Sequence, residues 1–171
     1  MPRSRVYLSP GSNIAPERHL PQAVRRLAEL GVVCGVSRVW QSRAVGDESQ
    51  PDFCNAAVAL DTDLTPEELL SPEGPLRQIE AELGRVRDPQ NRNAARTIDI
   101  DLALCDRTEL ELGDKRLPDP EIFNRAFVAV PLAELPGADL PLSAGVSLGE
   151  LARRLAAEQP LLLRADIVLP M

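Results

Sequence analysis

At 171 residues and 44% hydrophobic, the chain is long and apolar enough for one domain with its own core, residues 1–171, and is not a disordered tail. A formal charge of −7 with only 3% aromatics argues against nucleic acid as a partner. Phosphate backbones reward a basic surface, and unpaired bases need aromatic platforms. No run of about 18 apolar residues is present to span a membrane, and MPRSRVYLSPGSN lacks an apolar stretch long enough for a signal peptide.

In chain order, VYLS (6–9) reads as a short strand closed by a turn at Pro10-Gly11-Ser12-Asn13. Leu20, Ala23, Val24, Leu27 and Ala28 recur on one helical face between Glu17 and Leu30, which places Pro21 in the first turn of that helix. Residues 32–43 and 53–62 read as an antiparallel strand pair joined by the turn-rich VGDESQPD. Thr65, Pro66 and Glu68 form a capping box, SPEGP interrupts at 71–75, and Leu76, Ile79 and Leu83 resume a helical stripe that stops at Gly84. A strand follows at 97–105, then mixed helix and turn, and a last capping box at Ser147 and Glu150 opens the C-terminal helix. The order strand, helix, strand, strand, helix, strand predicts an α+β fold of ferredoxin-like split βαβ type. Its sheet is mostly antiparallel, with helices packed on one face.

The three cysteines, Cys34, Cys54 and Cys105, are odd in number and sit in apolar segments. They read as buried reduced thiols, which suits a cytoplasmic location. The single histidine, His19, has no zinc-site spacing to them.

The stretch ARTIDIDLALC carries the most information. Strand alternation puts Ile98, Ile100, Leu102 and Leu104 on one face and Asp99 and Asp101 on the other, with the two Cα atoms roughly 6.6 Å apart. Two carboxylates so placed can converge on a divalent cation, and otherwise each raises the other's pKa. A merely solvated sheet face is the plain alternative. Five arginines in an acidic chain, Arg77, Arg85, Arg87, Arg92 and Arg96, lie just before this strand. Guanidiniums with carboxylates suggest a metal–polyphosphate site. Neither G-x-x-x-x-G-K-[ST] nor G-x-G-x-x-G occurs. A nucleotidyltransferase would pair a Gly-Ser turn with D-x-D about a helix apart, but Gly11-Ser12 precedes Asp99 by far more than that.

GSN after the first strand, QPDFCNAAVAL, IEAELGRVR, RTIDIDLAL and NRAFVAVPLAEL follow one another in this order. Together they resemble the 6-hydroxymethyl-7,8-dihydropterin pyrophosphokinase family over residues 6 to about 140, leaving 141–171 as a C-terminal helix and tail. The resemblance implies a ferredoxin-like enzyme of folate biosynthesis, working as a monomer on small molecules. It would bind ATP with two Mg2+ ions, and the pterin hydroxymethyl oxygen would attack the β-phosphorus and release AMP. It implies metal ligation by Asp99 and Asp101, a catalytic set of these two with Arg85 and Arg96, and ATP contacts from Arg85, Arg87, Arg96, Leu102, Asp119 and Arg125. Val45, Phe53, Asn55 and Phe127 match the pterin pocket.

Four features depart from the family pattern. NAART stands where an aromatic normally precedes the strand, Asp119 where a histidine contacts ATP, Pro10 where a leucine precedes GSN, and SPEGP is an insertion. A pyrophosphokinase is therefore the leading reading. A pterin- or nucleotide-binding module with weakened turnover is the alternative, and a metal-free structural domain a third.

Overall fold

The computed structural model describes residues 3–46, 49–91, 94–106, 109–138, 142 and 145–171; Arg92 lies outside them. Strand β1 (Ser4–Ser12) is the spine of the sheet. One of its edges pairs with β5 (Val58–Thr62) and β4 (Phe53–Asn55), and the other with β6 (Asp99–Cys105), all antiparallel. Beyond these, β2 (Val32–Val36) pairs with β5, and β3 (Trp40–Ser42) with β4. The expected strands at 32–43 and 53–62 are thus each broken in two, and the antiparallel pair between them is present. A strand hydrogen-bonded on both edges is covered above and below, and Val6, Tyr7 and Leu8 are all fully buried.

Residues 10–12 continue β1 rather than turning, which corrects the expected turn at Pro10. Proline removes a ladder donor. Pro10 is tolerated because it lies where the opposite edge lapses between β4 and β5, and its carbonyl still accepts from the Ala56 amide at 3.0 Å. Helix α1 (Pro16–Leu27) begins five residues before Pro21, so Pro16 occupies the first turn and Pro21 lies inside. The backbone bond that Pro21 forfeits is outweighed by burial of Leu20, Ala23, Val24 and Leu27 along one face. The capping box at Thr65 opens α2 (Pro66–Leu70), and α3 (Pro75–Glu82) follows after the interruption.

The sheet has a core on each side. Val6, Leu8, Ile98, Ile100 and Leu102 pack with α1 and α3 on one side. Tyr7, Ala57, Ala59, Ala103 and Leu104 pack on the other against α4 (Ala126–Ala133) and α5 (Leu148–Glu158). Helices therefore cover both faces, not one as expected. Tyr7, Ala57, Ala59 and Ala103 supply an apolar patch for α4 and α5 on the second face, and a bulge enlarges it. Tyr7 opposes Leu104 while Leu8 opposes Leu102, so Ala103 is an extra residue in β6 and alternation reverses there. Leu104 leaves the Ile98/Ile100/Leu102 face that regular alternation assigns it and enters the α4/α5 core. On the same face, the half of the sheet carrying Asp99 and Asp101 is left uncovered by α4 and α5.

Truncating Leu104 to alanine should cost about 2–4 kcal/mol. Hydrogen exchange should quicken in α4 and α5 while α1 stays protected; loosening of α1 instead would contradict the bulged register.

Candidate active site

The open half-face is the floor of a cavity of about 1020 Å3. Across three strands, Asn55, Gly11 and Asp99 form one row, with Ser9 beside Asp101 in the next. A Cβ on Gly11 would collide with the Asn55 side-chain oxygen, so the glycine lets Asn55 keep its place in the row.

The arginines reach this floor through the end of α3. Leu76, Ile79 and Glu80 are its buried residues, so Glu80 occupies a core position and is only 3% exposed. Gly84, at φ +89°, ends the helix as expected and turns the chain so that Arg85 comes back beside Glu80. Arg85 Nη1 donates to Glu80 Oε2 at 2.8 Å and to Asp99 Oδ1 at 2.5 Å, and Arg87 Nη2 donates to Glu80 Oε1 at 2.9 Å. The Ile100 amide donates to Glu80 Oε2 at 2.9 Å. Burial pushes the Glu80 carboxyl up, against the pull of that amide and the arginines. Sequence reasoning gave Glu80 no role. The available signal was an acid on the buried stripe of a helix followed by paired arginines.

Arg96 precedes β6 and escapes strand parity, so its guanidinium turns onto the same face as the aspartates, 3.3 Å from Asp99 Oδ2. Its entry is set by Asn13, whose Oδ1 accepts from the Arg96 amide at 2.8 Å and whose amide donates to the Arg96 carbonyl at 3.2 Å. Asn13 Nδ2 also donates to Gln50 Oε1 and the Pro51 carbonyl, so the third residue of GSN ties together two cavity loops. This is a second role that sequence reasoning missed.

The two aspartates differ in environment. Burial opposes charge on Asp99, but the Arg85 guanidinium, then Arg96, hold its carboxyl below the usual carboxylate range. Asp101 has no ion pair among the described residues; burial, then the Asp99 charge, push its pKa up to about 7. No group of three or more metal-binding side chains occurs among the described residues. Two convergent carboxylates still fit Mg2+, which keeps waters and takes its remaining oxygens from phosphates.

Asp119 lines the cavity and caps the 3-10 helix Pro120–Phe123, its Oδ1 accepting from the Glu121 amide at 3.0 Å. Its other oxygen accepts from Lys115 Nζ at 2.9 Å, from the hairpin of β7 (Leu110–Leu112) and β8 (Lys115–Leu117). Arg87 and Arg125 also line the cavity, as do Val45, Phe53 and Phe127. The Arg96 guanidinium lies 5.5 Å from the centre of the Phe53 ring. Leu102 does not join them. Its side chain is fully buried in the core on the far side of the sheet, which leaves only its backbone for a nucleotide contact.

Asp101 holds its proton more tightly folded than unfolded, where its pKa is the ordinary 3.8. In the metal-free protein the contribution of Asp101 to stability is therefore lost as pH rises from about 4 to about 7, and stays lost above that. Asp101→Asn should raise Tm relative to wild type by several degrees near pH 8 and leave it unchanged below about pH 4, in thermal scans with chelator present. Equal Tm values near pH 8 would remove the burial penalty assigned to this carboxyl.

Residues 7–137 match the family model described as 7,8-dihydro-6-hydroxymethylpterin-pyrophosphokinase. The 2-amino-4-hydroxy-6-hydroxymethyldihydropteridine pyrophosphokinase of Pseudomonas aeruginosa is 42% identical over 151 residues, spanning 86% of this chain and 89% of its own. The protein of the same name from Bacillus subtilis is 40% identical, with 76% and 77% covered. A crystal structure of an HPPK-DHPS protein in complex with substrates superposes with a TM-score of 0.67 at 10% identity, covering 92% of this chain and 44% of that one, and so shares its fold. The chain belongs to the 7,8-dihydro-6-hydroxymethylpterin-pyrophosphokinase family.

Proposed function

We propose that the cavity over β1 and β6 is where this chain transfers pyrophosphate from ATP to the hydroxymethyl group of 6-hydroxymethyl-7,8-dihydropterin, a step of folate biosynthesis. As a family member the chain is a pyrophosphokinase with ATP as co-substrate. The observation that carries the site assignment is the juxtaposition of Asp99 and Asp101 with Arg85, Arg87 and Arg96 in one cavity that also holds Phe53, Asn55 and Phe127.

In this reading the triphosphate lies along the arginines. Arg85 and Arg96 contact Asp99 in the ligand-free protein. Phosphate oxygens compete for the same guanidiniums, and Asp99 is then freed as an oxygen donor. Two Mg2+ ions, held by Asp99 and Asp101, would supply charge neutralisation on the attacking and leaving oxygens. Phe53 and Phe127 flank the flat pterin, and Asn55 offers a donor and an acceptor to its amide-like edge. The hydroxymethyl oxygen forms a bond to the β-phosphorus, the bond from that phosphorus to the oxygen bridging to the α-phosphate breaks, AMP departs with the bridging oxygen, and the hydroxyl proton passes to solvent. Positioning and charge account for the catalysis, and no strong general base is needed.

Asp119 would repel phosphates if it stood alone, which would favour the binding-module reading. Lys115 neutralises it, so the pair presents no net negative charge to a phosphate. We take the chain to be a single-domain monomer of the cytoplasm. Three free cysteines suit the reducing compartment of that reading.

Pterin-dependent AMP formation with ATP and Mg2+ should fall by about 100-fold or more in Asp99→Ala and in Asp101→Ala. Failure of the wild type to release AMP while still binding pterin would favour the binding module. Lys115→Met, which leaves Asp119 an uncompensated charge, should raise the KM for ATP about 3–10-fold. The double variant Lys115→Met with Asp119→Asn should recover much of that loss in steady-state assays; additive losses would separate the two residues.

A further inference from the structure

Residues 160–171 lie outside the stretch that matches the family model, yet they are built into the sheet. Strand β9 (Leu162–Leu163) adds to β3, with Leu163 opposite Trp40 and Leu162 opposite Gln41. The Arg164 amide donates to the Val39 carbonyl at 2.9 Å, and Ile167 and Leu169 join the α1 core. Arg164 is the polar centre of this segment. Asp166 grips its guanidinium at 2.8 and 2.9 Å, and Nη1 donates to Gln41 Oε1 at 3.0 Å and to Cys54 Sγ at 3.5 Å. Gln41 Nε2 in turn donates to Asp52 Oδ2 at 2.9 Å. The relay Asp166–Arg164–Gln41–Asp52 therefore ends on the residue before Phe53, and Arg164 also touches Cys54, between Phe53 and Asn55. In β4 the Cys54 side chain enters the core on the α1 side, opposite the face on which Phe53 and Asn55 line the cavity.

We propose that the C-terminal segment is a clamp on the β3–β4 hairpin, with Arg164 a positioning residue that sets Phe53 and Asn55 from behind; this rests on assigning those two residues to the pterin. The two strands of the hairpin have three residues each, too short to hold a fixed position on their own. Without β9, β3 would be a bare edge. Binding a rigid heterocycle depends on sub-ångström placement of the groups around it, and such placement needs supporting hydrogen bonds behind the contact residues. Arg85 and Arg87 of the triphosphate side follow α3 instead, and Arg96 meets the hairpin only at the Phe53 ring, so the clamp acts chiefly on the pterin.

Arg164→Met and Gln41→Leu each keep most of the side-chain bulk and cut the relay at different points. Each should raise the KM for the pterin about 5-fold or more, with the KM for ATP and kcat within about 2-fold of wild type, and the double variant should be no worse than the weaker single one. Asn55→Ala serves as the reference for the pterin side. If Asn55→Ala raises the pterin KM while both relay variants leave it within about 2-fold, whatever their Tm, the clamp is overturned and the pterin assignment stands. If Asn55→Ala itself leaves pterin binding unchanged, the assignment fails and the clamp with it. If both KM values rise together with a lower Tm, Arg164 serves general stability and the proposal is overturned.

Discussion

A carboxylate almost wholly removed from water is costly unless every oxygen is answered by a donor, and Glu80 is placed so that each is. One oxygen accepts from Arg85 and from the Ile100 amide, the other from Arg87. That arrangement docks α3 onto β6 through a charged pin rather than through apolar contact alone. It also decides where the arginines sit. A glycine turn sends Arg85 and Arg87 back over the pin, and Arg85 then bridges Glu80 to Asp99. Removing Glu80 would leave Arg87 without its ion pair, Arg85 held by Asp99 alone and β6 with an unsatisfied amide, so the site and the α3–β6 junction stand on the same group.

The second constraint is how the sheet divides its upper face. β6 must be apolar on both sides where α4 and α5 cover it, yet polar on one side where the cavity opens. Residue choice begins the switch, Asp99 and Asp101 giving way to Ala103 on one face, and the bulge at Ala103 extends it by adding Leu104 to that face. Neighbouring β1 makes a matching change, with Tyr7 under the helices and Ser9 and Gly11 in the cavity floor. The floor is therefore backed by a fully packed core on its other side, where Ile98, Ile100 and Leu102 are buried. Rigid backing of this kind keeps two like charges close together when desolvation and repulsion both act to separate or neutralise them.

Charge compensation recurs at the rim. Asp119 would set a negative charge where phosphates should lie, and Lys115 comes from a separate hairpin to cancel it. The pair illustrates how a substitution that looks unfavourable in one dimension can be offset by a neighbour that no local pattern identifies. The tail behaves similarly, because Arg164 reaches Gln41 across more than a hundred residues of sequence.

Much was already legible in the sequence. The α+β class, the antiparallel pairing, the Gly84 stop, the Thr65 capping box and the Ser147 N-cap follow from periodicity, turn chemistry and strand alternation, which act over a few residues; the meeting of Arg96 with Asp99 runs against strand parity, and only the ordered family motifs pointed to it. The one-face helix arrangement, the turn at Pro10 and the start of α1 were misread. Each depends on a partner far along the chain: the α4/α5 core, the lapse between β4 and β5, and the buried face of α1. Glu80, Asn13, Lys115 and Arg164 went unassigned for the same reason. Local sequence specifies which face a side chain takes and where an element ends. Which charges are buried, paired or left facing one another is decided only when distant segments meet, because desolvation and hydrogen bonding are properties of the folded neighbourhood.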